Sequence, residues 1–190
     1  MLRCEISGVL KSLGVSVSDA YPQTLSQKMA FNRTPHSKLL TELMREDLWP
    51  NSHEQAIQQN LKKWISPDIV KSMVDSESEI FLYPNPKLTL AEKHKASKKR
   101  QGNHEFLLAY EKTLDQISPQ LALFVADFGA GSDAPIALDY RSSKVDPSVI
   151  GLKWDDDLLN SSGNTWVTLS PSFSEFVEKL KLRDLPPFKR

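Results

Sequence analysis

"LALFVADFGAGSDAPIALDYR", residues 121–141, is the stretch on which the fold turns. It contains fragments of two enzyme motifs. Gly129 to Ala134 matches the G-x-G-x-x-A pattern of a dinucleotide loop, and Asp127-Phe128-Gly129 spells the metal-binding triplet of protein kinases. A dinucleotide loop works because its glycines open a helix whose N-terminus holds the pyrophosphate. Here Pro135 and the strand-like "IALDYR" follow instead. The glycines therefore read as the bend between two antiparallel strands, with at least one of Gly129 and Gly131 at positive φ. The kinase reading needs a Gly-rich loop feeding a V-A-I-K-like strand and an H-R-D catalytic loop, and the chain has neither.

The same pattern continues outward. "LALFVADF", "PIALDYR", "VIGLKW" and "TWVTLS" are short apolar or alternating runs separated by clusters of Gly, Asp, Pro, Ser and Asn, which predicts an antiparallel meander. "EIFLY", residues 79–83, adds an earlier strand. "SPSFSEFVEKLKL" predicts a closing helix capped by Ser170 with Pro171 at its first position. Its apolar stripe, Phe173, Phe176, Val177 and Leu180, is expected to dock onto the sheet. The expected fold class is α+β, an antiparallel sheet covered by helices.

Helical spacing dominates before the sheet. Leu39, Leu40, Leu43, Met44 and Leu48 mark a helix between Ser37 and Trp49 that Pro50 ends. Ser52 and Gln55 form a capping box for a second helix, with Ile57, Leu61, Trp64 and Ile65 along one face. Ser66-Pro67 opens a third, with Ile69, Val70, Met73 and Val74 buried. Thr89 and Glu92 suggest a further cap ahead of the basic run Lys93–Arg100, which reads as a positively charged, flexible loop. "HEFLLAYEKTLDQI", residues 104–117, resumes helical spacing, with a short strand at its start as the alternative; at the N-terminus Leu2, Ile6, Val9, Leu10 and Leu13 recur at helical spacing interrupted by Gly8 and Gly14, and the stretch that follows to His36 carries no sustained period.

With 24 basic and 24 acidic side chains the formal net charge is zero, so no global field points to nucleic acid or a membrane surface. The basic run, Lys93, Lys95, Lys98, Lys99 and Arg100, lacks the interleaved aromatics on which single-stranded nucleic acid stacks. No run approaches the roughly 18 to 20 apolar residues that span a bilayer. Glu5, Lys11 and several serines break the N-terminal apolar pattern, which argues against a secretory signal. The lone Cys4 cannot form an intrachain disulfide, and a cytoplasmic location fits.

Candidate chemistry is sparse. Asp127, Asp133 and Asp139 recur at intervals of six and could serve a hydrolase as an acid–base set, or could cap turns by accepting backbone N–H bonds. His36, His53, His94 and His104 all precede the sheet, and His53-Glu54 is not followed by the second histidine of a zincin helix. There is no G-x-S-x-G elbow. The expectation is a protein with no catalytic residues, no metal and no cofactor.

The C-terminal part resembles the SMI1/KNR4 family, also called the SUKH superfamily. The resemblance rests on "LFVADFGAGSDAPIALDYR", "DPSVIGLKW" and "TWVTLSPSFSEFVEKL", in the order and spacing of a sheet core with glycine-centred turns that ends in a P-S-F-x-x-F helix. The first 75 residues show no such match, and the Leu-Pro helix with an Asn-Gly turn that often opens the family's core is not evident. The resemblance implies an SMI1/KNR4-like core over 76–185 and leaves residues 1–75 unassigned; their helical spacing makes them a mainly helical N-terminal extension, expected to form one compact unit with the core. It also implies a non-enzymatic binding role: bacterial members act as immunity proteins that neutralise a toxin, and fungal members regulate cell-wall synthesis and signalling. A regulatory or scaffolding protein is therefore the alternative.

Charge nominates the contact. Residues 121–160 hold seven aspartates against Arg141, Lys144 and Lys153. A nuclease toxin must be basic to hold phosphates, so an acidic face would be steered toward it. The expected protein-binding residues are Asp133, Asp139, Trp154, Asp155, Asp156 and Asp157, with Gly129 and Gly131 shaping the turn. The competing reading makes Asp155–Asp157 a solvated loop and gives Trp154 and Trp166 cross-strand packing roles.

Overall fold

In a computed structural model, five strands lie side by side in sequence order: β1 (Ile80–Leu82), β2 (Ala122–Phe128), β3 (Pro135–Asp139), β4 (Ser148–Lys153) and β5 (Thr165–Ser170). Every neighbouring pair is antiparallel, the meander expected from the turn-separated apolar runs. The residues described are 37–62, 65–74, 77–101, 111–129, 134–154 and 164–189. All of them belong to one compact unit, Thr34–Arg190. The first 36 residues of the expected extension, and Gly131, lie outside the described residues. No helix among the described residues is long and apolar enough to cross a membrane.

A strand with one wet face alternates in burial, yet β2 and β3 are buried at every position, so both faces of the sheet are covered. On one face lie α1 (Lys38–Arg45), α3 (Pro67–Met73) and α5 (Phe173–Lys179). Their Leu40, Leu43, Val70, Phe173 and Phe176 join Leu123, Val125, Phe128, Ile136 and Leu138 in the main core. Gly151 of β4 belongs to this face, where a Cβ would come within 2.9 Å of Leu169 and 3.0 Å of Phe128. On the other face Leu90, at the start of α4 (Leu90–Gln101), and Ile117 pack on Ala122, Phe124, Ala137 and Ile150. α1 and α3, read from sequence as part of an extension, thus share a core with the sheet.

A bulge in β2 sets the orientation of one residue that matters below. Phe124 pairs with Ala137 and Ala126 with Ile136, so β2 holds one residue more than β3 across that step. Val125 and Ala126 both enter the main core, and Asp127 is turned to the opposite face, beside Phe124.

Local chemistry explains where the helices begin and end, and corrects several boundaries read from sequence. The first helix stops at Arg45 instead of running to Pro50, because Asp47 takes a left-handed conformation (φ 55). The chain then folds back, with Leu48 and Trp49 N–H donating to the Leu43 carbonyl. At α2 (His53–Lys62) Ser52 Oγ accepts the Gln55 N–H at 3.2 Å, but Gln55 Oε1 reaches past Ser52 to the Asn51 N–H at 2.7 Å. Its buried positions include Gln55, Ala56 and Gln59, while Ile57, expected on the inner face, is half-buried.

Pro67 does open α3, although the Ser66 side chain makes no capping bond. At α4 the capping box is complete: Thr89 Oγ1 accepts the Glu92 N–H, and the Glu92 carboxylate accepts the Thr89 N–H. The basic run expected as a loop is therefore helical, since it follows a sound cap and contains neither Gly nor Pro. The closing helix is capped by Ser172, whose Oγ accepts the Glu175 N–H at 3.1 Å. Ser170 is not the cap, because pairing with Val149 holds it in β5.

Tyr140, just past β3, places its hydroxyl where the Ser37 N–H donates to it at 3.1 Å. Burial pushes this phenol up to about 12. Tyr140→Phe leaves a buried donor without its acceptor and is expected to lower unfolding stability by about 1 to 3 kcal/mol. Urea denaturation reads this directly, and an unchanged midpoint would contradict the role given to the bond.

Candidate functional site

Connections in an antiparallel meander alternate between the two ends of the sheet. The turns from β2 to β3 and from β4 to β5 therefore leave from one end, which is also where β1 begins. Gly129, Ala134, Trp154 and Asn164 bound those turns, and Glu77 and Glu79 precede β1 at the same end. Residues 129–134 and 154–164 contain Asp133, Asp155, Asp156 and Asp157 and neither lysine nor arginine. The two connections whose sequence carries these aspartates thus start and finish at the same end of the sheet as Glu77 and Glu79, where Lys153 closes β4. Asp133 and Asp155–Asp157 themselves lie outside the described residues.

Gly129 has φ 71, and its N–H donates to the Glu79 carbonyl at 2.9 Å. The Phe128 N–H donates to the Ala134 carbonyl at 3.0 Å and closes the turn. The expectation of a positive-φ glycine between antiparallel strands is met at Gly129. Any side chain there crowds the backbone, so Gly129→Ala is expected to cost about 1 to 2 kcal/mol. Thermal unfolding of the variant checks this, and wild-type stability would contradict it.

Burial raises the Glu77 carboxyl above its ordinary value. The folded state then binds a proton more tightly than the unfolded chain, so this group's contribution to stability falls as pH rises through the window between the two values. Glu77→Gln is expected to flatten that loss: stability rises relative to wild type above the window and is unchanged below the usual carboxylate range. Parallel pH profiles of the two proteins measure it.

The remaining nominated residues separate. Trp154 is half-buried at the acidic end and packs against the main core. Asp139 ends β3 at the opposite end and is 4% exposed. Its carboxylate accepts the Arg141 backbone N–H at 3.1 Å and Nε–H at 2.8 Å, and pairs with Nη2 at 2.6 Å. This hydrogen bonding raises the Arg141 guanidinium. Asp139 thus makes the turn-capping bond that the competing reading gave it, and it does not share a surface with the acidic end. Trp166 packs against the second core and donates its Nε1–H to Thr113 Oγ1 at 3.2 Å, a packing role.

The structure also assembles a cluster that the sequence did not announce. Asp127, 1% exposed, accepts the Tyr83 hydroxyl at 3.1 Å and lies 3.6 Å from Lys93 Nζ. The same ammonium sits 3.4 Å from the centroid of the Phe124 ring, and Tyr83 packs on Phe124 and Phe81 with centroids 4.5 and 5.2 Å away. Phe81 faces Asp127 across the β1–β2 pair, so one patch of sheet presents two rings and a carboxylate to the lysine of α4. A cation over a ring and beside a carboxylate is held twice, which binds α4 to the sheet.

Asp127 and Asp139 of the hydrolase set do not converge, and Asp133 lies outside the described residues. Asp127 pairs with Pro135, and Asp139 stands four residues further along β3, about 14 Å away at about 3.4 Å per residue. Carboxylate pairs that cleave glycosides stand roughly 5 to 9.5 Å apart. His53 is exposed, and His94 lies 3.5 Å from Glu111, which Lys98 also holds at 3.2 Å. The hydrogen bond from Lys98 lowers the Glu111 carboxyl. His36 and His104 lie outside the described residues, and no group of three potential metal ligands occurs among those described.

These features define an α+β protein whose five-stranded antiparallel meander lies between two helical layers. No family model, curated protein or solved structure matches the chain.

Proposed function

We propose that the chain is a non-enzymatic protein-binding module of the SMI1/KNR4 type, an immunity protein that neutralises a basic nuclease-type toxin in the cytoplasm. The observation that carries this reading is that the turns holding Asp133 and Asp155–Asp157 leave the sheet at one end, beside Glu77 and Glu79. A focused negative potential on a neutral protein steers a basic partner without making the whole surface repel acidic ones. Occupying the partner's phosphate-binding surface would then exclude its nucleic acid. Trp154, rooted in the main core beside these turns, supplies an apolar anchor of the kind found at the centre of tight interfaces.

Capture from lysate on immobilised wild type and on the D155K/D156K/D157K variant, side by side, tests the reading. A basic protein retained by wild type and lost from the variant is expected. A partner set indifferent to the reversal would favour the regulatory or scaffolding alternative. The reading also predicts no saturable micromolar binding of NAD, ATP or divalent metal in calorimetry, an affinity of about 8 kcal/mol that requires a formed site.

A further inference from the structure

The outermost strands of a sheet expose N–H and C=O groups that can template pairing with another chain. Here each edge is met by a glutamine amide. On β1 the Leu82 N–H donates to Gln59 Oε1 at 2.9 Å, and Gln59 Nε2 donates to the Leu82 carbonyl at 2.6 Å. Leu82 can turn outward because its neighbours serve β2: the Tyr83 N–H goes to Val125, and the Gly129 N–H comes to Glu79. One amide thus reproduces the double bond that a residue of an antiparallel strand would make. On β5 Gln116 Nε2 donates to the Asn164 carbonyl at 2.9 Å, and the Trp166 N–H donates to Gln116 Oε1 at 3.0 Å. Bonds to residues on either side of Thr165 are those of one residue of a parallel strand.

We propose that Gln59 and Gln116 are edge locks, side-chain amides that occupy the outer hydrogen-bonding positions of the sheet, and that Gln116 keeps β5 from pairing with the β5 of a second copy. The two differ in setting. Gln59 is buried on the inner side of α2 and forms part of the fold, whereas Gln116 is exposed and ends a short 3-10 turn, Leu114–Gln116. That turn is held beside β5 by the Trp166–Thr113 bond and by Leu114 and Trp166 packing on the second core. The Trp166 N–H points outward to Gln116, and strand alternation sets the Thr168 N–H on the same side just before the bulge opposite Val149–Ile150, so releasing Gln116 opens a run of outward backbone groups. Pairing of β5 with its own copy about a two-fold axis would satisfy them symmetrically.

The test is sedimentation velocity over a concentration series on wild type, Gln116→Met and Gln116→Met/Thr168→Pro, with circular dichroism to confirm the fold. Methionine keeps the length of the side chain and removes the amide. Proline at 168 removes an outward N–H and leaves the β4 side of the ladder intact. The expected result is self-association about a hundredfold tighter in the single variant, the yield of roughly one net hydrogen bond in each of the two copies, and its return to the wild-type value in the double variant. Association equal to wild type in Gln116→Met overturns the proposal, as does association that survives Thr168→Pro. Should Gln116→Met lose its fold, Gln116→Ser removes the amide from the edge with a smaller polar side chain and is judged by the same two outcomes.

Discussion

Phe176→Ala is expected to lower the unfolding free energy by about 3 to 5 kcal/mol, read as a fall in the urea midpoint at constant slope. The side chain is fully buried, and its neighbours in the main core, Phe173, Val177, Leu180 and Leu182, come from the same helix and the turn after it. Those residues are fixed from two directions. Ser172 caps the helix, and Ser174 anchors its exposed side by donating its N–H and hydroxyl to the Asp146 carboxylate at 3.0 and 2.8 Å. A helix held in this way cannot settle into the space left by a lost ring, so the cavity penalty adds to the lost transfer energy. Glu178→Ala, on the exposed face of the same helix, should stay within about 0.5 kcal/mol of wild type. Equal effects at the two positions would show that the stripe does not dock on the sheet.

The second large effect concerns Lys93. Lys93→Met keeps the length and apolar stem but withdraws the ammonium from a carboxylate that is 1% exposed. Breaking a buried pair from one side costs about 3 to 5 kcal/mol, because the remaining charge loses its compensation while staying out of water. Replacing both partners should cost far less. Lys93→Met/Asp127→Leu is expected to recover part of the loss, since apolar residues suit a site already walled by Phe81, Tyr83 and Phe124, while the Tyr83 hydroxyl gives up its bond to Asp127. Stability measured around this double-mutant cycle gives the coupling directly. Additive losses would mean that Lys93 and Asp127 stabilise the protein independently.

The sheet was legible because β-strand chemistry is local. The runs containing Ala122–Phe128, Pro135–Asp139, Ser148–Lys153 and Thr165–Ser170 are rich in apolar residues and divided by turn formers, and the four-residue spacing of Phe173, Phe176, Val177 and Leu180 announces a helix with one buried face. What escaped depends on geometry that no local pattern carries. Asp127 reads as a turn residue from its place before Gly129, and only the bulge at Val125–Ala126 shows which face it joins. Gln59 and Gln116 look like solvent-facing helix residues, because an amide that completes a sheet edge leaves no mark on hydrophobic periodicity.

Other misses had a signal. The Thr89–Glu92 capping box stood directly ahead of the basic run and favours a helix there. For the candidate surface, the aspartates could be counted from sequence but not sorted by end of the sheet until the strands were placed. Asp139 closes β3 and so departs from Asp133, which precedes the same strand. Glu77 and Glu79 join the acidic end only because β1 runs antiparallel to β2.

We propose that the end of the sheet bearing the β2–β3 and β4–β5 turns steers a basic protein partner. Stopped-flow association of the captured partner with wild type and with D155K/D156K/D157K, at low and high salt, measures that steering. The expected result is a wild-type rate that falls with salt, a much slower variant at low salt, and convergence of the two once the screening length drops well below about 10 Å. Rates indifferent to both the charge reversal and the salt would contradict it and move the binding face away from this end of the sheet.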